Sequence, residues 1–375
     1  MTRVVGVIGG GQLARMMTPP AINLGLEIYV LAKESSESAK IAVTALGDHT
    51  DTQALLNFAR ECDVVTFDHE HVPQSVLTEL VAAGVNLQPK PEALLYAQDK
   101  LLMRKRLAEL GVPIPGWAEV TTVAEVDAFV AEYGGRAVVK TARGGYDGKG
   151  VRVVSSGTEV ADWFAALAQG EALLVEEFVS FTRELAQMIA RRPSGEVALW
   201  PVVETMQANG VCAEVIAPAP SSAGKVADMA ADIATTIAHG LDVTGVFAVE
   251  MFETTDDRIL VNELAMRPHN SGHWSQDGSL TSQFEQHLRA VLDLPLGATA
   301  MVAQWAVMSN ILGGPASGDL DAASAQLMAE YPEAKLHLYG KSPRPGRKIG
   351  HVNVIGDELD RAVAAARGAT AFFQD

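Results

Sequence analysis

Four short stretches of this chain combine residue types at spacings that point to chemistry, and a fifth does so more weakly. The densest is Thr141-Ala142-Arg143-Gly144-Gly145-Tyr146-Asp147-Gly148-Lys149-Gly150, with four glycines in seven positions. Such a loop can fold its backbone over phosphates without side-chain clash. Lys140 before it and Lys149 within it would bring two ammonium groups to the same anion. No Gly-Lys-Ser/Thr follows to open a helix, so this is not a Walker A loop. A plain hairpin turn would need only one or two glycines.

The second stretch is a pair of carboxylates. Glu250 lies in Val-Phe-Ala-Val-Glu-Met-Phe-Glu and Glu263 in Ile-Leu-Val-Asn-Glu-Leu, with a polar segment between them that reads as a hairpin loop. One strand register sets Glu250 opposite Glu263, and the neighbouring register sets it opposite Asn262. In both, two like charges lie on adjacent, apolar strands and repel. A divalent cation would relieve that penalty and bridge nucleotide phosphates, as Mg²⁺ does with one or two carboxylates. The alternative leaves one glutamate in solvent or paired with Arg267.

The third is Arg267-Pro268-His269-Asn270-Ser271-Gly272-His273-Trp274, a polar run after an apolar strand, which makes a poor core and a good site loop. Arg267 could stabilise phosphoryl charge, and Asn270 and Ser271 could orient a substrate. His269 or His273 could serve as a base, or could simply hydrogen-bond within the fold. The fourth is the segment 341–351, where Lys341, Arg344, Arg347 and Lys348 gather four cations in a chain of net charge −17. Its prolines and glycine shape a turn, and guanidinium forks suit a phosphate monoester. The weaker signal is Gly9-Gly10-Gly11-Gln12-Leu13-Ala14, between a strand pattern and a helix pattern. It satisfies a dinucleotide fingerprint with Glu34 about twenty residues on. It also suits tight strand-to-helix packing, or a phosphate-bearing ligand at the helix start, which is the reading taken here.

The elements that must position these residues follow from periodicity. Strands Val4–Ile8, 28–31, Val64–Phe67 and 85–87 alternate with helices 12–24, 52–61 (Asp51 as N-cap) and 74–83, which predicts an open, mostly parallel sheet. A helix over 100–110 stops at Gly111 and Pro113. Beyond Gly116 come Trp117–Val120, a helix 123–133, Ala137–Thr141 and Val151–Val154. Strands 172–178 and 184–190 read as an antiparallel pair. A helix 223–241, strands 246–253 and 259–264, strands near 304–308 and 351–355, and a helix 358–373 complete the pattern.

With 48% hydrophobic and 20% charged residues over 375 positions, the composition is that of an ordinary globular enzyme. The negative net charge argues against nonspecific binding to nucleic acid or anionic lipid. Cys62 and Cys212 lack metal-ligand spacing and read as small hydrophobes. The N-terminus carries no signal-peptide pattern and no apolar run is long enough to cross a bilayer, so a cytoplasmic location is expected.

Four segments then carry a resemblance: Gly-Gly-Gly-Gln-Leu-Ala-Arg-Met at 9–16, Gly-Gly-Tyr-Asp-Gly-Lys-Gly at 144–150, Asn-Glu-Leu-Ala-Met-Arg-Pro-His-Asn-Ser-Gly-His-Trp at 262–274 and Arg-Pro-Gly-Arg-Lys-Ile-Gly-His at 344–351. In their order and spacing they resemble the ATP-grasp superfamily, and within it the 5-(carboxyamino)imidazole ribonucleotide synthases of purine biosynthesis. The resemblance spans essentially the whole chain. It implies an α/β fold, α+β in part: an ATP-grasp fold over 99–298, with a lid subdomain at about 115–180. An open parallel-sheet, Rossmann-like N-terminal domain over 1–98 would precede it, and a small mixed C-terminal domain over 299–375 would follow. It implies a homodimer acting on small molecules, with no nucleic-acid or membrane partner. The activity implied is ATP- and bicarbonate-dependent carboxylation of 5-aminoimidazole ribonucleotide, through carboxyphosphate, with Mg²⁺ or alternatively Mn²⁺.

On the same resemblance, Lys100 and Lys140 contact the ATP phosphates, and the loop Gly145, Tyr146, Asp147, Gly148, Lys149 and Gly150 closes over them and excludes water. Glu176, Glu177, Phe178 and Val179 form the adenine site and hinge, Glu184 takes the ribose hydroxyls, and Gln207 and Asn262 also face the nucleotide. Glu250 and Glu263 hold the metal. Gly11, Gln12, Leu13, Glu70, His269, Asn270, Ser271, His273, Lys341, Arg344, Arg347 and Lys348 match the ribonucleotide site. Tyr146, Asp147, Lys149 and Arg267 surround the bicarbonate and the transferred phosphoryl group, with Asp147 as the candidate to orient or deprotonate the amine. The chain departs from the family pattern at Lys100, often arginine, at Gln207, near which histidine is common, and at Asp68, where glutamate is common. Rival readings are a formate-dependent glycinamide ribonucleotide transformylase, a nicotinamide-dependent dehydrogenase built on Gly9–Ala14, and a non-catalytic nucleotide-binding regulator.

Overall fold

In the computed structural model, residues 2–145, 150–208 and 210–373 are described. Tyr146, Asp147, Gly148 and Lys149 of the glycine loop lie outside them. The chain begins with β1 (Val4–Ile8), α1 (Gln12–Asn23), β2 (Glu27–Ala32), β3 (Val43–Leu46), α2 (Thr52–Ala59), β4 (Val64–Phe67) and α3 (Gln74–Ala82). The strands form a parallel sheet in the order β3-β2-β1-β4. Residues of β4 are buried throughout, as strands covered on both faces must be. Asp51 caps α2, accepting from the backbone of Gln53 and Ala54. The expected strand 85–87 reduces to one parallel bridge, Val65 to Leu87. The sheet takes β3 as its other edge instead, whose alternating burial made it the weaker sequence signal.

Helices α4 (Pro91–Gln98) and α5 (Lys100–Glu109) lead to a second sheet. It is built from β5 (Trp117–Val120), β6 (Ala137–Thr141), β7 (Val151–Val154) and β8 (Leu173–Glu177), in the order β5-β8-β6-β7, with α6 (Val123–Glu132) and α7 (Ala161–Ala166) between strands. Thr122 and Glu125 make a reciprocal capping box at the start of α6.

The third sheet has nine strands. Its first part is β9 (Phe181–Arg191), β10 (Val197–Leu199), β11 (Val203–Ala208), β12 (Val211–Ala217), β13 (Gly245–Thr254) and β14 (Ile259–Ala265). Helices α8 (Lys225–Gly240), α9 (Ser275–Gly278) and α10 (Gln283–Val291) accompany it. Strands β15 (Trp305–Leu312), β16 (Lys335–Leu338) and β17 (Lys348–Gly356), with α11 (Leu320–Glu330) and α12 (Leu359–Ala371), extend it beyond β12. The segments 172–178 and 184–190 are therefore not an antiparallel pair. The first is the core of β8 in the second sheet and the second lies in β9 of the third. Both are apolar, and apolar character alone does not say which sheet a strand joins. The crossing between them contributes Phe178 and Val179 to a cleft lined from both sheets. Among the described residues no helix is long and apolar enough to cross a membrane.

Candidate active site

The carboxylate pair is set by strand register. Glu250 on β13 stands directly opposite Glu263 on β14, while the next pair is Met251 with Val261, so a bulge falls between them. The extra residue is Asn262. Consecutive strand residues ordinarily point to opposite faces, and a bulge re-aims one of them. Here Asn262 and Glu263 both line one cleft, together with Glu250. Each carboxylate has one close partner: Glu263 Oε1 lies 3.2 Å from Lys100 Nζ, and Glu250 Oε1 lies 3.1 Å from His269 Nε2. Ser271 donates its backbone N–H to His269 Nδ1, so the imidazole proton sits on Nε2 and points at Glu250. Burial alone would push the Glu250 carboxyl up, but the His269 hydrogen bond and the charges of Lys348 and Arg267 outweigh it and hold it below the usual range. Arg267 pairs with neither glutamate of the pair. It donates to Glu70 Oε2 at 2.7 Å.

The cleft, of about 500 Å³, runs between the second and third sheets. That volume falls in the range of small-molecule sites. Lys140, at the end of β6, donates to Glu176 Oε2 at 2.7 Å and to Asn262 Oδ1 at 3.0 Å. Glu177, Phe178 and Val179 line the crossing between the sheets, and Glu177 accepts from the backbone of Gly116. Glu184 and Gln207 face the cleft from β9 and β11. Burial and the nearby Glu250 push the Glu184 carboxyl up, against a hydrogen bond from Gln207. Asn270 and Ser271 form the floor. Asn270 is 8% exposed, and among the described residues its amide meets only the Cys212 thiol. A buried amide so sparsely bonded beside a cleft is placed to meet a ligand.

A second cavity, of about 600 Å³, lies on the other side of the pair. Glu250, Glu263 and His269 wall both cavities, so the carboxylates stand at their junction. The second cavity is lined by Glu70, Lys100, Gly144, Gly145 and Arg267. The root of the glycine loop is fixed here. Lys100 donates its backbone N–H to Ala142 and its ammonium to the Gly144 carbonyl, while Arg143 pairs with Asp99, the N-cap of α5. Gly150, at the loop's far end, has a positive φ, and a side chain there would strike Thr141.

The cationic turn lies against α1. Lys341 bonds Gln12, and Arg15 reaches the carbonyls of Leu338 and Ser38. Arg344 is exposed, Arg347 bonds the Ser342 carbonyl, and Lys348 lines the first cleft. Leu13 is buried in the core beneath Gln12. His273 stands apart from both cavities. It is fully buried, takes a hydrogen bond from Gln283 and sits 5.0 Å from the His351 ring, so it supports the loop instead of lining the site.

At the start of α1 the Ala14 backbone N–H is already engaged within the fold. Asp68, at the end of β4, accepts from the Ala14 backbone at 2.8 Å, and a side chain at Gly11 would come within 1.9 Å of its carboxylate. Gly11 is thus required by the close approach of Asp68. Burial pushes Asp68 up to about 6, despite the backbone of Ala14 and the charges of Arg267 and Lys341.

Comparison with known proteins agrees with this geometry. A family model of the ribonucleotide synthetase preATP-grasp domain matches residues 1–98, one of the ATP-grasp domain matches 105–284, and one of the phosphoribosylaminoimidazole carboxylase C-terminal domain matches 306–365. The N5-carboxyaminoimidazole ribonucleotide synthases of Mycobacterium tuberculosis and Corynebacterium ammoniagenes are 50% and 48% identical to this chain. The alignments span 97% and 98% of it, and 87% and 91% of theirs. The chain belongs to the N5-carboxyaminoimidazole ribonucleotide synthase family. A solved structure of the Aspergillus clavatus synthase, in complex with ADP and 5-aminoimidazole ribonucleotide, superposes with a TM-score of 0.88 at 33% identity, covering 99% of this chain and 98% of that one. The Thermotoga maritima synthetase gives 0.85 at 34% identity, with 99% of each chain covered. The synthase family is one of ATP-grasp ligases, and this chain has its ATP-grasp fold.

Sequence reasoning missed the buried charge of Arg104, and marked Asp68 only as a departure from the family pattern. Arg104 had one available signal, its position one helical turn after Lys100, which puts both cations on one face of α5.

Proposed function

We propose that this synthase binds ATP in the cleft between its second and third sheets and carboxylates 5-aminoimidazole ribonucleotide with bicarbonate, forming the N5-carboxyamino product, ADP and phosphate. The observation that carries this reading is the Glu250–Glu263 pair, opposed in register where two cavities meet. The donor set fits a hard divalent cation: carboxylate oxygens facing a cleft, with the remaining ligands supplied by phosphate and water. Glu250 and Glu263 would hold Mg²⁺, or Mn²⁺ in its place, which when bound would neutralise phosphate charge.

On this reading the adenine lies by Glu177, Phe178 and Val179, and Glu184 accepts from the ribose hydroxyls. Lys100 and Lys140 take the phosphates, with Gln207, Asn262 and Asn270 completing the polar wall. Bicarbonate attacks the γ-phosphorus from the second cavity, where Arg267, held by Glu70, faces the equatorial oxygens. The breaking bond is that to the ADP oxygen, and the product is carboxyphosphate. Phosphoryl transfer asks the protein mainly for positioning and charge compensation. Carboxyphosphate hydrolyses readily, and the loop from Gly144 to Gly150 would keep water out. The ribonucleotide phosphate would sit against Gln12, Lys341, Arg344 and Arg347, and its exocyclic amine would take the carboxyl group and lose a proton. Asp147 is assigned to that proton and Tyr146 and Lys149 to the loop's grip on the phosphates; all three lie outside the described residues. The working units would be residues 1–98, 99–298 and 299–375. A cytoplasmic homodimer is proposed on the resemblance to the family.

The test is ADP release with 5-aminoimidazole ribonucleotide, with and without bicarbonate. Release that requires both supports the reading. Release supported by formate and glycinamide ribonucleotide instead would replace it with the transformylase.

A further inference from the structure

The geometry points to Arg104 as a positioning residue: it clamps the β14 bulge and balances Glu176, so that Lys140 stays available to the nucleotide phosphates. This rests on the ATP-binding reading of the cleft and adds a residue to it.

Arg104 is wholly buried on α5. Its Nη1 donates to the Val261 carbonyl at 3.0 Å and its Nη2 to the Asn262 carbonyl at 2.7 Å. Consecutive carbonyls of a regular strand point opposite ways, so one guanidinium reaches both only because the bulge turns them together. The same bulge brings Asn262 and Glu263 onto one face of the cleft. The guanidinium fork therefore grips the backbone distortion on which the presentation of Glu263 depends.

The remaining nitrogen, Nε, bonds Glu176, whose carboxylate also meets Lys140. The side chains of Arg104, Glu176 and Lys140 are 0%, 3% and 10% exposed. Two cations thus share one carboxylate, leaving one net positive charge at the wall of the cleft. Without Arg104, the buried Glu176 carboxylate would have Lys140 as its only close cation among the described residues. Attraction within a poorly solvated site would then hold that ammonium on Glu176 and away from phosphate. The carbonyls of Val261 and Asn262 would also lose their donors.

Equilibrium binding of MgATP, read by calorimetry without the other substrates, tests this. Arg104→Met should raise the MgATP Kd more than tenfold, with the KM for the ribonucleotide changed far less. Arg104→Lys, which restores the charge but not the two-carbonyl fork, should fall between. Arg104→Met with Glu176→Gln removes both the clamp and the carboxylate that would capture Lys140, and should bind MgATP at least threefold tighter than Arg104→Met alone. A residue that only fills space would give no such recovery. An unchanged Kd in Arg104→Met, or a double variant no tighter than the single, overturns the inference. Should Arg104→Met fail to fold, Arg104→Lys with and without Glu176→Gln decides by the same recovery. Unaltered protein that binds no MgATP would instead sink the reading of the cleft itself.

Discussion

Replacing Asp68 by asparagine should make the protein more stable near neutral pH and leave it little changed in acid. Asp68 is raised from 3.8 to about 6 because burial disfavours its charge. At about 1.4 kcal/mol per tenfold change in an ionisation constant, this corresponds to at most about 3 kcal/mol. The sign follows from proton counts. The folded state holds the proton more tightly than the unfolded chain, so the contribution is fully present below about pH 4 and is lost as the pH rises through about 6. Asparagine keeps an oxygen for the Ala14 N–H and has no charge to bury, so it removes that loss. Urea unfolding of both proteins at matched pH values between 4 and 8 should show the variant gaining on the unaltered chain by about 2 to 3 kcal/mol over this range. A difference that stays flat with pH would refute the reasoning, because Asp68 would then ionise as it does in the unfolded chain.

Asp51→Ala removes the side chain that caps α2 and should cost about 1 kcal/mol in stability, measured by denaturant midpoint, with KM values unchanged. Arg347→Ala should raise the KM for the ribonucleotide roughly ten- to hundredfold, the value of a charge-assisted hydrogen bond, while sparing that for ATP. An equal rise in both would argue against a phosphate clamp in the 341–348 turn.

The elements that carry chemistry were legible where the signal is local. Glycines, prolines and charge clusters act within a few residues, so the hairpin between Glu250 and Glu263 and the turn at 341–348 could be read directly. Register was legible only as two alternatives, because a strand pattern does not reveal a bulge. The bulge makes both partly true: Glu250 faces Glu263, and beyond it the pairing shifts by one residue. What the sequence hid are contacts between distant segments. Asp68 reaches α1 from β4, which adds a packing requirement at Gly11 that the loop's own sequence does not reveal. Arg104 joins α5 to β8 and β14, and no spacing rule links positions so far apart in the chain. His273 shows the converse case, a polar residue in a site-like run whose side chain faces the core.

On the proposed function, Glu250 and Glu263 share one divalent cation with the nucleotide. Electron paramagnetic resonance of Mn²⁺ bound to the protein–ADP complex measures it most directly. Glu250→Gln and Glu263→Gln should each weaken Mn²⁺ binding at least tenfold while the far-ultraviolet circular dichroism is preserved. Mn²⁺ held with unaltered affinity when both carboxylates are replaced would contradict the account.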